Sequence, residues 1–514
     1  MTPPKHIAIV GGGTAGWMTA CLLRQRWRER GIEITLIESA EIGTVGVGEG
    51  STPYLRRFFA TLGIAERDWM PACDATYKCG IRFPGWSSVE GYESYVHPFF
   101  SEADRPLGNQ FFTNACLRRR GQAADANPQD FFLAAELARQ RRAPIDTAEG
   151  LGTDYAYHFD AGKLGAFLRG HAVGLGVRHV VDTIARVEQH EGGDIAALHL
   201  KGGTRIAADL FVDCSGFKGL LINETLGEPF LPYRDNLFND RAIAIPTALV
   251  DGEDIPSETV STALRHGWAW QIPLTTRYGN GYVYSSDFIS DDDAEHELRA
   301  HLGAAAEGAS ARRLRMRVGR VDRHWSRNCV AVGLAQGFIE PLEATALLFV
   351  QRTAAALVDT LEAGDLGPAA RQRFNDGMRT RFENTRDYIV AHYKTNSRTD
   401  TDYWRANADN MQLSDSLQGV LMTWMSRKPL AAGLKQGRFG GGYPIVSWYA
   451  LLAGMGIFPD AQDLQPPTAH QARHRLDAVD DFVSRSALNF PDHRELLADI
   501  PPRVGDKTLQ LYLW

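Results

Sequence analysis

Gly11-Gly12-Gly13-Thr14-Ala15-Gly16 has the spacing G-x-G-x-x-G, and an acidic residue, Glu38, follows at the end of the next apolar run. Each glycine of that pattern answers a steric demand: a tight turn, close backbone approach to a pyrophosphate, and close packing of the following helix. The helix N-terminus then faces the phosphates, and an acidic residue at position 38 receives a ribose hydroxyl. Glu38 argues against a 2′-phosphate in that pocket, because two anions repel. A second constellation is Trp268-Ala269-Trp270-Gln271-Ile272-Pro273. Its two tryptophans point to one face of a strand, either as a core aromatic pair or as a wall between two ligands.

The elements that must position these residues follow from periodicity. The compact apolar run His6 to Val10 feeds the glycine turn, a helical stretch continues to about Arg30, and Ile32 to Ile37 alternates before Glu38, completing a βαβ unit. From His179 to Cys214, runs rich in β-formers are separated by Gly192-Gly193 and Gly202-Gly203, predicting an antiparallel meander. That stretch ends in Asp213-Cys214-Ser215-Gly216, a strand delivering a small, flexible turn. A third such junction runs from Cys329 to Gly333, with a helix expected from about Glu343 to Leu361. From about 366 onward the pattern is largely helical, with Gly440-Gly441-Gly442 as a turn.

Bulk properties narrow the function. At 514 residues the chain is long enough for two or three modules and can bury a cofactor with a substrate. A balance of 55 basic against 62 acidic residues, with no basic run, excludes nucleic acid as an expected partner. Met1 leads into a strand with no apolar leader, and no apolar stretch is long enough to span a bilayer, so a soluble, unexported, cytoplasmic protein is expected. Six scattered cysteines without ligand spacing predict reduced thiols and no metal site.

Taken together, Gly13-Thr14-Ala15-Gly16-Trp17, Tyr77-Lys78-Cys79-Gly80-Ile81, Asp213-Cys214-Ser215-Gly216-Phe217, Trp268-Ala269-Trp270-Gln271-Ile272-Pro273 and Glu340-Pro341-Leu342-Glu343 resemble the flavin-dependent tryptophan halogenases. The resemblance spans residues 11 to 346 and is weaker in the C-terminal helical part. It implies an α/β fold of the two-dinucleotide-binding type, a Rossmann-like βαβ unit with an inserted antiparallel sheet, plus a helical substrate module. Residues 1–90, 151–240 and 311–365 are expected to form a discontinuous FAD module, and 91–150, 241–310 and 366–514 the substrate module. It further implies that FADH2 from a separate NAD(P)H-dependent flavin reductase, O2 and chloride or bromide generate hypohalous acid, which passes along a tunnel to a small aromatic substrate such as an indole. Oligomeric state, a homodimer among the options, is left open.

The family's site residues carry over by position. Gly11, Gly13, Thr14, Ala15, Gly16, Glu38, Gly333 and Leu342 are expected around the FAD, with Gly48, Gly50 and Ser51 of Val45 to Ser51 beside the flavin. Lys78 matches the lysine that holds or captures hypohalous acid; outside the resemblance it reads as a surface lysine. Glu343 matches the glutamate that stabilises the arenium cation and takes its proton. By position alone it is a helix N-terminal acid. Trp268, Trp270, Ile272 and Pro273 form the family motif, and His97 with Phe99 matches an indole clamp, with Trp448 as a third wall.

Two departures bear on specificity. Where relatives commonly read Glu-Ser-Thr-Gly, this chain has Glu343-Ala344-Thr345-Ala346, so the halide site at Thr345 and Ala346 gains a methyl and a restricted backbone. Ser447-Trp448-Tyr449-Ala450 replaces the C-terminal pattern with which tryptophan halogenases grip the amino-acid backbone. The alternatives are a single-component FAD aromatic hydroxylase and a non-catalytic flavin-binding sensor; neither gives Lys78 and Glu343 a joint task.

Overall fold

The computed structural model describes residues 4–41, 48–102, 104–146, 151–250, 252–364, 366–437, 439, 442–459, 464–466 and 476–500. His6–Val10 is a central strand of a six-stranded sheet, flanked in parallel by Glu33–Glu38 and Leu210–Asp213. Cys329–Ala331 and Arg178–Val181 extend the sheet in parallel on either side, and Trp325–Ser326 adds an antiparallel edge. Strands covered on both faces need near-continuous apolar sequence, which Ile7 to Val10 and Leu210 to Val212 supply. The helices Thr14–Arg26, Ala161–Gly174 and Ala346–Glu362 share one core, with Trp17, Leu23, Trp27, Leu164, Leu168 and Leu357 buried in it.

The expected meander starts later than position 179. Its strands are Ile184–Gln189, Ile195–Leu200 and Arg205–Ala207, turning at Gly193 and Gly203, whose φ angles of +86° and +85° favour glycine. Arg178–Val181 instead pairs Val180 with Ile37 at the edge of the parallel sheet. Local alternation reports a strand but not its partner.

A larger sheet runs in the order Arg312–Arg315, Arg241–Ala244, Arg277–Tyr284, Gly267–Pro273, Thr259–Ala263, Gly80–Pro84, Ser94–Pro98. Thr247–Ala248 pairs beside it, and the contact of Thr259–Ala263 with Gly80–Pro84 is parallel. Helices from Pro368–Lys394 to His493–Ala498 follow, and their aromatic faces close a second core containing Phe83, Trp86, Trp268, Tyr388, Trp404 and Trp448. Strand pairing crosses two of the expected module boundaries. Gly80–Pro84 forms a hairpin with Ser94–Pro98, so a division at 90 cuts a hydrogen-bonded pair. Arg312–Arg315 likewise pairs with Arg241–Ala244 rather than with the parallel sheet.

A small antiparallel sheet joins the two halves. In it Ala156–Asp160 lies between Gly48–Gly50 and Thr76–Lys78. Gly48 abuts Gly279 of the large sheet: a β-carbon at 48 would stand 3.2 Å from the Gly279 Cα. Among the described residues no helix is long and apolar enough to cross a membrane.

Candidate active site

The glycine loop has the shape of a phosphate cradle. Gly11 has φ +116°, and a β-carbon there would collide with the Cys214 carbonyl oxygen at 2.2 Å. One on Gly16 would strike the Gly11 carbonyl oxygen at 1.9 Å, whereas one on Gly13 meets nothing within 4 Å. Gly11 and Gly16 therefore fix the turn, and Gly13 leaves open the space at the helix start that a pyrophosphate needs. The helix Thr14–Arg26 has no side-chain cap at its start, leaving its first N–H groups available.

Neighbouring residues complete the cradle. Thr14 bonds the Ala161 carbonyl, and Ala15 packs under Gly333, where an added β-carbon would stand 2.7 Å from the Ala15 methyl. Glu38, partly exposed, pairs with His179 Nε2 at 2.7 Å. Sequence reading missed His179, which carries no motif of its own. Leu342, expected here, is buried in the core that contains Phe83 and Trp268. The residues fit an FAD held by its dinucleotide part. Val45, Gly46 and Val47 lie outside the described residues, while Gly48, Gly50 and Ser51 lie in or beside the small sheet, where Ser51 N–H donates to the Tyr157 carbonyl at 2.9 Å.

Lys78 ends the edge strand Thr76–Lys78 of the small sheet with its side chain fully buried. Its Nζ has no hydrogen-bond partner and lies 5.7 Å from the centre of the Phe99 ring. Burial lowers its pKa to about 7, against the opposing pull of the Glu343 carboxylate. Beside it His158 is fixed as one tautomer. Thr76 donates its hydroxyl proton to the Pro273 carbonyl at 2.7 Å, so His158 Nδ1–H donates to Thr76 at 3.0 Å and Nε2 accepts from Thr259 at 2.8 Å. Burial, and then the Lys78 charge, hold the His158 pKa well below the usual imidazole range. A neutral imidazole thus ties the lysine's strand to Thr259 of the strand Thr259–Ala263, while Thr76 itself reaches the end of the Trp-x-Trp-x-Ile-Pro strand at Pro273.

Glu343 closes the short turn Pro341–Glu343 and is followed by Ala344 at φ +56°. Its Oε2 accepts from His97 Nδ1 at 2.8 Å, and its Oε1 lies 3.2 Å from His392 Nε2. Burial acts to raise its pKa, but the two imidazoles outweigh it and hold the carboxyl at about 2. His97 Nε2 lies 2.8 Å from the Ser447 hydroxyl, so both ring nitrogens are engaged in plane and the orientation of the ring faces is set. The Glu343 charge also reaches Tyr95, Tyr388 and Tyr443, whose hydroxyl pKa values burial pushes well up.

The structure therefore brings Lys78, Phe99, His97 and Glu343 together through electrostatic and direct contacts. Trp448, expected as a wall, is fully buried against Tyr388 and Phe439, with ring centres 4.9 and 5.0 Å away; its helix reaches the cluster through Ser447. Thr345 is buried next to Glu343. Ala346 opens the helix Ala346–Glu362 with ordinary helical backbone, so alanine there adds a methyl without the backbone restriction expected. The left-handed residue of the turn is Ala344.

Trp268 and Trp270 share one face of Gly267–Pro273, their ring centres 6.2 Å apart. Trp268 Nε1 donates to Glu340 Oε1 at 3.2 Å, and Asn239 and Tyr393 also donate to that carboxylate. Burial raises the Glu340 pKa to about 7 despite these donors. Ile272 and Pro273 are buried, Ile272 beside Gly48 and Pro273 accepting from Thr76. Among the described residues no group of three or more His, Cys, Asp or Glu could hold a metal ion.

A family model described as tryptophan halogenase matches residues 6–471. The tryptophan 6-halogenase SttH of Streptomyces toxytricini is 38% identical, covering 98% of this chain and 99% of its own. Its crystal structure superposes with a TM-score of 0.85 over 96% of this chain and all of that chain. The tryptophan 7-halogenase RebH of Lentzea aerocolonigenes is 36% identical over 92% of this chain and 93% of its own. BrvH, a flavin-dependent halogenase from Brevundimonas sp. BAL3, is similar at 34% identity and a TM-score of 0.84, over 97% of this chain and 99% of that chain.

Proposed function

The chain belongs to the tryptophan halogenase family, and from that premise we propose that it halogenates an indole-type ring at a site built from Lys78 and Glu343. It is a flavin-dependent halogenase, an enzyme that uses FAD and halide and depends on a separate flavin reductase. The finer reading adds NAD(P)H as the reductase's electron source, O2 as co-substrate, and the cytoplasm as location, where its six free cysteines stay reduced. Bound as FADH2, the cofactor supplies the two electrons with which O2 and halide become hypohalous acid and water.

One observation carries the reading: a fully buried amine without a hydrogen-bond partner, within the electrostatic reach of the buried Glu343 carboxylate. The Lys78 amine hydrogen-bonds hypohalous acid, or exchanges one N–H for N–halogen with release of water, and presents the halogen to the substrate ring. Addition to a ring carbon leaves a cationic ring, which the Glu343 carboxylate stabilises. Loss of the proton from that carbon to Glu343 restores aromaticity. A carboxylate with a pKa near 2 is a weak base, so its larger contribution is its fixed negative charge; a cationic ring is acidic enough to give up the proton.

The substrate on this reading is an indole, a simple substituted indole or a larger indole-bearing molecule, clamped by His97 and Phe99 and turned over better than free tryptophan. Reconstitution with a flavin reductase, FAD, NADH and either halide, followed by mass spectrometry of an indole panel, tests the function. Lys78→Ala is expected to bind FAD and yield no halogenated product. Glu343→Gln is expected to lose about 10²- to 10⁴-fold in rate. Normal turnover by either variant contradicts the assignment. Direct NADH consumption without a reductase would instead indicate the single-component hydroxylase.

A further inference from the structure

His392 lies in the last turns of the helix Pro368–Lys394 and has no exposed side-chain surface. Its Nδ1 is 2.9 Å from the Tyr388 carbonyl oxygen, a pure acceptor, so Nδ1 carries a proton. Its Nε2 is 3.2 Å from Glu343 Oε1. The two atoms are close without being aligned as a hydrogen bond, and a neutral ring with its proton on Nδ1 would leave two electron-rich atoms 3.2 Å apart, which is repulsive. The contact is favourable when Nε2 is protonated as well, making the ring an imidazolium.

The surroundings suit a cation. Phe83, Tyr388 and Trp86 surround the ring, their centres 5.2, 5.1 and 6.0 Å from its own. Aromatic faces at such distances attract a desolvated cation. The titratable groups facing the pair are His97 and Tyr95 from the strand Ser94–Pro98, Tyr388 from the same helix, Tyr443, and Lys78 across the carboxylate. None of these supplies a second anion to compete with Glu343.

We propose that His392 is a positioning residue for halogenation: as a buried imidazolium it keeps the Glu343 carboxylate charged and fixes the orientation of its two oxygens together with His97. The inference rests on the reading that Glu343 faces the reacting ring. It also accounts for a buried carboxylate surviving beside apolar rings, since an unpaired buried charge is strongly destabilising.

The test begins with 15N-histidine NMR of the FAD-loaded protein near pH 7, with His392→Gln identifying the resonances. The expected result is a doubly protonated His392 that becomes neutral in Glu343→Gln. Turnover follows: His392→Ala is expected to lower kcat by up to about 100-fold through misplacement of the carboxylate, with KM for the aromatic little changed. His392→Gln, which keeps an N–H donor at that position, is expected to recover most of kcat. A neutral His392 in the wild-type protein, or wild-type kcat in His392→Ala, overturns the inference. Wild-type turnover by Glu343→Gln while His392 is doubly protonated overturns the functional reading, and the positioning role with it.

Discussion

Gly50 lies against the buried amine of Lys78: a β-carbon at position 50 would stand 3.1 Å from Nζ and 3.4 Å from the Thr259 hydroxyl. A methyl there would push the amine by a few tenths of an ångström from its place near Phe99 and within the field of Glu343. Gly50→Ala is therefore expected to fold and bind FAD while losing up to about 100-fold in halogenation rate, the scale of a displaced reactive group. A variant with unchanged rate would show that Lys78 is free to shift by several tenths of an ångström.

Burying an amine that titrates near 7 has a pH signature. The unfolded chain holds the Lys78 proton up to the ordinary value of 10.5, whereas the folded chain releases it at about 7. Between those values the unfolded state binds more protons, so this group's destabilisation is fully present below about pH 7 and fades as pH rises towards 10.5. Its size is on the order of 5 kcal/mol, from about 1.4 kcal/mol per unit of pKa shift. Lys78→Met is expected to abolish halogenation and to raise Tm, more near pH 6.5 than near pH 9.5. An equal Tm gain at both pH values would mean that the amine stays charged in the folded protein.

What was legible in the sequence, and what was not, divides by range. Gly11, Gly13 and Gly16 announce themselves because their demands are local, a positive φ at Gly11 and a 1.9 Å approach at Gly16. The Trp268 and Trp270 spacing is equally local. His392, Ser447 and His158 carry no local mark: each gains its meaning from a partner brought in by another element. Arg178–Val181 was misplaced for the same reason, since alternation cannot name the neighbouring strand. Ala346 shows the opposite error, a backbone restriction inferred from residue type at a position that is plainly helical.

The two motif tryptophans should separate on substitution. Trp268 donates to Glu340, whereas Trp270 Nε1 is buried without a partner. Trp268→Phe removes one donor from a buried carboxylate, at a cost of about 1 to 3 kcal/mol in urea unfolding. Trp270→Phe removes an unsatisfied N–H at similar shape and is expected to be near neutral or stabilising. Neither variant is expected to oxygenate indole efficiently, because Lys78 and Glu343 remain in place. Equal destabilisation of the two variants would argue against the Glu340 contact.

Halide selection is tested at the start of the helix Ala346–Glu362. Since Ala346 has helical backbone, glycine there removes a methyl beside Thr345 at a stability cost of about 1 kcal/mol or less. On the expectation that Thr345 and Ala346 line the halide pocket, Ala346→Gly should raise chlorination relative to bromination in a mixed-halide competition. An unchanged product ratio would place the halide elsewhere.

The last prediction concerns what the clamp accepts. Free tryptophan brings an ammonium and a carboxylate, and each must be paired if buried, since an uncompensated buried charge costs several kcal/mol. The helix Ile445–Gly454, which approaches the cluster through Ser447, contains no charged residue, and its Trp448 and Tyr449 are committed to aromatic packing. Indole asks less of the site: two flat faces for His97 and Phe99, and a negative field from Glu343 as positive charge builds on the ring. In one tube containing indole and L-tryptophan at equal low concentration, the halogenated indole is expected to dominate from the earliest time points. Removing the amino-acid charges by comparing tryptophan with tryptamine and indole-3-propionate then shows which charge is penalised. A clear preference for tryptophan, lost on substituting a single charged residue of the C-terminal helices, would reverse the prediction and identify the side chain that grips the amino acid.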